Sequence, residues 1–232
     1  MVVAASTRLE ADSTAMTHVV PPRFLFRWSF PVPYCAEWPG SDREGRQLPV
    51  ACRLQQLDEF DAGSRFADLY VGWNEAGFGV GVEVRGKQQP LQTDLMKPTE
   101  SDGLQVWIDT RSTLNVHRAT KYCHYYCLLP GGDGKQRRQP VAVQRPLAQA
   151  REETGARTGK LVMTSELRDD GYRLDCWFPG ESLFGFDPAN NPRLGFYAVV
   201  KDAELGEQFL TVGREFPFEF DPSIWQTLEL VR

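Results

Sequence analysis

Eight side chains with ligand-binding chemistry fall at alternating positions of short apolar segments: Glu83, Arg85, Gln105, Trp107, His124, Tyr126, Arg173 and Trp177. Indole and phenol rings offer flat apolar faces for stacking. Guanidinium, imidazole, amide and carboxylate groups form hydrogen bonds, most strongly where one partner is charged. If these eight line one sheet face, that face is a platform for a ligand. His117 and Arg118, in the polar run 115–118, would sit in a loop beside it, and loops on a rigid sheet commonly carry binding groups.

A second arrangement suits the same residues. Trp107 and Trp177 could lie beneath the segment 31–49 or beneath the basic stretch 135–160, forming a small second core with Arg–carboxylate pairs at its rim. His117 and His124 would then be hydrogen-bonded histidines that orient a loop. Asp109 and Asp175 share the polar face and could in principle act as a glycosidase pair. Each has an arginine close in sequence, Arg111 and Arg173, so an ion pair is the expected role. The chain contains no GxSxG, no HExxH and no phosphate-binding glycine loop. No catalytic residue is therefore assigned, and the protein is expected not to be an enzyme.

Five cysteines make no closed disulfide framework, and reduced, buried thiols are expected. On a strand Cys123 and Cys127 share a face while His124 points to the other, which opposes a shared metal, and no metal ligand is assigned.

The elements that must position these residues are strands. Leu104, Val106 and Ile108 alternate with Gln105, Trp107 and Asp109. Tyr172, Leu174, Cys176 and Phe178 alternate with Arg173, Asp175 and Trp177. Residues 24–30 place Phe24, Phe26, Trp28 and Phe30 on one face of a strand, and a Pro-rich connection, 31–49, follows. Segments 69–73 and 78–84 flank a four-residue hairpin link with Val80, Val82 and Val84 toward the core. Strands are also expected over 121–129, ending at Pro130, and over 161–168, 193–200, 207–212 and 227–231. Residues 135–160 carry seven Lys or Arg against two Glu, with Pro140 and Pro146. This reads as a solvated basic insertion with at most one helical turn near 147–153. Short strands between Gly, Pro and Asp turns, with no amphipathic helix, describe an all-β protein: a two-sheet antiparallel β-sandwich of jelly-roll or immunoglobulin-like kind.

At 232 residues, 41% hydrophobic and 12% aromatic, the chain suits one domain over 21–232 that buries roughly 70% of its unfolded surface, after a flexible tail at 1–20. A net charge of −5 argues against a nucleic-acid partner. The first twenty residues hold no apolar run of signal-peptide or membrane-span length. A cytoplasmic protein without membrane contact is the expectation, and secretion stays open.

The order of segments resembles the strand series of family 9 carbohydrate-binding modules. The segments are LYVGWNEAGFGVGVEVR (69–85), SDGLQVWIDT (101–110), GYRLDCWFP (171–179), LGFYAVVKD (194–202) and DPSIWQTLELV (221–231), and the resemblance covers roughly 65–231. It implies a β-sandwich that binds a saccharide or polysaccharide without catalysis, with calcium in some members. The family's two sugar-clamping tryptophans correspond to Thr99 and Glu219, the latter flanked by Phe218 and Phe220. Its polar contacts correspond to Gln105 and His124. Gly86 stands where the family often has an acid suited to calcium, so no cofactor is assigned beyond the calcium the resemblance adds.

Two functions follow. One is a carbohydrate-binding module. The other is a structural or protein-interaction sandwich that has lost the sugar site, with a protein as partner. An open cleft over Trp107 and Trp177 would support the first, and a covered sheet the second.

Overall fold

The computed structural model describes residues 22–40, 47–55, 65–134, 138–155 and 160–232. Two sheets face each other. The smaller contains β2 (Ala67–Asn74), β3 (Gly77–Arg85), β8 (Gly171–Pro179) and β7 (Val162–Arg168), paired in that order. The larger runs β1 (Ser29–Pro33), β11 (Gln226–Val231), β9 (Arg193–Asp202), β4 (Gly103–Asp109), β5 (Cys123–Asp133) and β6 (Gln139–Arg145), with β10 (Gly206–Phe209) also on β9. Pairing is antiparallel except for β1 with β11. Among the described residues no helix is long and apolar enough to cross a membrane.

Period-two alternation builds the interior. Val80, Val82 and Val84 on β3 and Leu174, Cys176 and Phe178 on β8 face Val106, Ile108, Phe196 and Ala198 of the other sheet, and all of them are buried. Phe78 meets Phe196 edge-on across the gap, with centroids 6.2 Å apart. The β2–β3 hairpin closes on two residues rather than four, because Asn74 already pairs with Gly77.

Three expected elements differ. The aromatic run at 24–30 is not one strand. A 3₁₀ turn, Pro22–Leu25, precedes β1, which begins only at Ser29. β5 does not stop at Pro130 but continues to Asp133 through a register shift after Leu129. The basic stretch is not simply a solvated insertion, since β6 occupies Gln139–Arg145 on β5, and 147–153 forms turns instead of a helix. Pro140 is tolerated because β6 is an edge strand, where a missing N–H leaves no neighbour unpaired. The expected tail at 1–20 lies outside the described residues.

Outside the smaller sheet lies the segment 34–55, of which 41–46 are not described. Trp38, Leu48 and Cys52 pack onto Tyr70 and Trp177 as a second core. β3 makes room with Gly79, where a Cβ would lie 2.3 Å from the Trp38 ring. β2 is consequently buried along its whole length, on both faces.

Candidate functional site

The ten residues expected to bind a ligand do not share a face. Cross-strand register puts Glu83 opposite Arg173, and Gly79 opposite Trp177, on the outside of the smaller sheet. Trp177 is only 4% exposed there, with Trp38 edge-on at 5.1 Å. Arg173 grips Asp175 through two 2.7 Å hydrogen bonds and donates to the Leu48 carbonyl at 3.1 Å, with its guanidinium 3.6 Å from the Tyr70 ring centroid. Burial pushes the Asp175 carboxyl above its usual value even with that guanidinium beside it. Arg85 and Glu83 pair at 2.8 Å at the rim, where Arg168 also meets Glu83. For Trp177 the covered-sheet arrangement therefore holds.

Gln105 and Trp107 sit on the outside of the opposite sheet. Trp107 is 1% exposed, stacked on Tyr125 at 4.4 Å and met edge-on by Phe218 at 5.4 Å. Gln105 spends its amide on the Thr99 carbonyl and accepts from the Tyr125 hydroxyl at 2.7 Å. Among the described residues the cover over Trp107 is Phe218, itself packed edge-on against Phe209. His124 and Tyr126 point between the sheets, because β5 pairs His124 with the core residue Ile108. Tyr126 donates to the Ser182 carbonyl at 3.3 Å and packs edge-on against Phe178. Of the ten, Arg85, His117 and Arg118 are exposed; Arg85 is held by Glu83 and Asp68, and Arg118 is tied to the Gln149 carbonyl at 3.0 Å.

Asp109 and Asp175 belong to different sheets and cannot flank one glycosidic bond. Asp175 has its arginine as expected. Asp109 instead accepts from the backbone N–H groups of Arg111 and Thr113 and from the Thr113 hydroxyl.

Among the described residues beside the end of β3, the side chains do not fit the calcium that the resemblance adds. Gly86 offers no side-chain oxygen. The acids nearby converge on a buried ammonium: Lys87 Nζ is 3.0 Å from Asp202, 3.1 Å from Asp102 and 4.0 Å from Glu204. These are the oxygens a calcium ion would need.

An open site exists elsewhere, with His117 on its wall. A groove of about 410 Å³ lies between the 22–27 segment and the 212–226 loop, lined by Phe24, Phe26, His117, Phe216, Asp221 and Ser223 among others. Phe24 and Phe26 are 44% and 57% exposed, and Phe24 stacks on Phe216 at 4.2 Å. Asp221 caps the turn Pro222–Ile224 by accepting from Ser223 N at 2.9 Å, which fixes its carboxylate. Its second oxygen lies 3.2 Å from His117 Nδ1, and Ser223 Oγ lies 3.1 Å from the same nitrogen. A nucleophilic triad needs acid and serine on different imidazole nitrogens. Here both hold Nδ1, so the trio orients the ring and leaves Nε2 for a ligand. The signal for Phe24 and Phe26 in the sequence is an aromatic run with period two, which is also the signature of a strand.

Neither a protein-family model nor a curated protein sequence matches the chain. Among solved structures, the fold is similar to a family 9 carbohydrate-binding module from Caldicellulosiruptor kristjanssonii in complex with cellotriose. The TM-score is 0.57 at 15% identity, covering 88% of this chain and 93% of that one. A module of the same family and organism in complex with glucose gives a TM-score of 0.56 at 14% identity, covering 88% and 96%. The chain thus has the family 9 fold, an all-β sandwich of two mostly antiparallel sheets.

Proposed function

We propose that this protein is a non-catalytic saccharide-binding sandwich whose site is the groove of Phe24, Phe26, Phe216, His117 and Asp221. One observation carries the reading: two half-exposed phenyl rings stand beside a histidine whose orientation is fixed by a capped carboxylate. Exposed rings supply stacking to a sugar's C–H face, and Nε2 of His117 supplies a directional hydrogen bond to a hydroxyl. The similar modules hold cellotriose and glucose, which makes β-linked gluco-oligosaccharides the first ligands to try.

Titration calorimetry with cello-oligosaccharides, preceded by a glycan array, tests this. Each of Phe24→Ala and Phe26→Ala should weaken binding about tenfold, equivalent to ~1.4 kcal/mol, the upper range for an aromatic contact. Their melting temperatures should stay near that of the parent, because both rings are already well exposed. Silence across neutral and anionic glycans, or affinity indifferent to both substitutions, overturns the proposal. The covered Trp107 and Trp177 favour the second reading in that event, a protein-interaction sandwich using the exposed run Phe24, Leu25 and Phe26.

A further inference from the structure

Cys35 and Cys52 are 17 residues apart in sequence, yet their sulfurs lie 3.1 Å apart. Both ends of the segment between them are anchored on β2. Cys35 N donates to the Trp73 carbonyl at 2.8 Å, and Leu54 N donates to the Leu69 carbonyl at 2.8 Å. Gly72 of β2 lies under the pair, where a Cβ would come within 3.0 Å of Cys35 Sγ and 3.2 Å of Cys52 Sγ. The two thiols thus share a recess that any larger residue would fill.

We infer that Cys35 and Cys52 are a reversible thiol–disulfide pair that fastens the residues around them, 34–40 and 47–55, over the outer face of the smaller sheet. A disulfide needs the sulfurs at about 2.05 Å, so closure asks for roughly 1 Å of movement. The two sulfurs differ in access: Cys35 is half-buried and Cys52 is buried. The hydrogen bond from the Cys52 thiol lowers the Cys35 pKa to about 7, while the same bond and burial raise Cys52. Thiolate character and access therefore coincide on Cys35, as a nucleophilic thiol requires. The other three cysteines are buried, and burial raises Cys123, Cys127 and Cys176.

With hydrogen peroxide as oxidant, the Cys35 thiolate attacks one peroxide oxygen, the O–O bond breaks, Cys35 becomes a sulfenic acid, and the departing hydroxide takes up the proton the thiol had lost and leaves as water. Cys52 sulfur then attacks the Cys35 sulfur, the S–O bond breaks, and the Cys52 proton leaves with the departing hydroxide as water. In sum, two thiols and one hydrogen peroxide give one disulfide and two waters. The closed form holds Trp38 and Leu48 on Trp177 by a covalent staple.

Peptide mapping of the full chain after hydrogen peroxide treatment tests this without any substitution. The expected result is one Cys35–Cys52 cross-linked peptide and a fall in titratable thiols from five to three, both reversed by dithiothreitol. Cleavage by a protease within 36–51 should slow in the oxidised form. In Cys52→Ser, dimedone should trap a sulfenic acid on Cys35. Five thiols surviving treatment, or Cys35 passing to sulfinic acid without any cross-link, overturns the inference.

Discussion

Trp107→Ala should cost about 3–5 kcal/mol of folding stability, the range for deleting a large buried aromatic side chain. The indole is closed in by Tyr125, Tyr197 and Phe218, so its removal leaves a cavity that three rigid rings cannot collapse to fill. Because small domains fold by only 5–15 kcal/mol in general, the urea midpoint should fall by a large fraction of its value. Trp107→Phe is the contrasting variant. It keeps a ring against Tyr125 and removes an indole N–H that is buried without a hydrogen-bond partner among the described residues, so it should cost much less than the alanine. An unchanged midpoint in Trp107→Ala would show that Phe218 does not cover the indole, and would reopen that sheet face as a binding surface.

Much of the sandwich is legible in sequence because most strands announce themselves locally. Val80–Val84 and Leu104–Ile108 alternate with period two, and Asp170–Gly171 marks a turn. What sequence does not carry is which sheet a strand joins. β3 and β8 pair in one sheet and β4 and β5 in the other, so Trp177 and Trp107, equivalent in pattern, face opposite sides of the molecule. Polarity also misleads about direction. His124 and Tyr126 look like outward residues, yet the pairing of Ile108 with His124 turns them inward. Nor does an alternating polar face reveal that another segment covers it, as Trp38 covers Gly79 and Trp177. The groove was half legible. His117 stood out as a loop residue, while Phe24 and Phe26 were absorbed into a strand that the 3₁₀ turn at Pro22–Leu25 replaces.

Lys87→Met should be as damaging as the loss of Trp107, for an electrostatic reason. Lys87 follows β3 of the smaller sheet, whereas Asp102 precedes β4 and Asp202 ends β9 in the larger one, so the ammonium pins the two sheets together at this end. The lysine side chain is 5% exposed and both aspartates are at 0%. Removing the cation strands two carboxylates in a low-dielectric site, which costs about 3–5 kcal/mol when one partner of a buried pair is lost. Adding Asp102→Asn and Asp202→Asn to Lys87→Met should recover part of that loss, since the penalty belongs to the uncompensated charge. Burial alone would lower the Lys87 pKa, but hydrogen bonds to Asp202 and Asp102 outweigh it and the net shift is upward. A cation held above its unfolded value of about 10.4 stabilises fully below that pH and loses the contribution as pH rises through the folded value. The parent should therefore show a steeper alkaline decline in urea midpoint than Lys87→Met, which keeps only the part that the buried thiols and phenols contribute. Because the ammonium already sits against one oxygen of each aspartate, calcium and a chelator should leave the parent's midpoint equal. A calcium-dependent rise would mean that a divalent ion displaces Lys87, and that the acid cluster is a metal site after all.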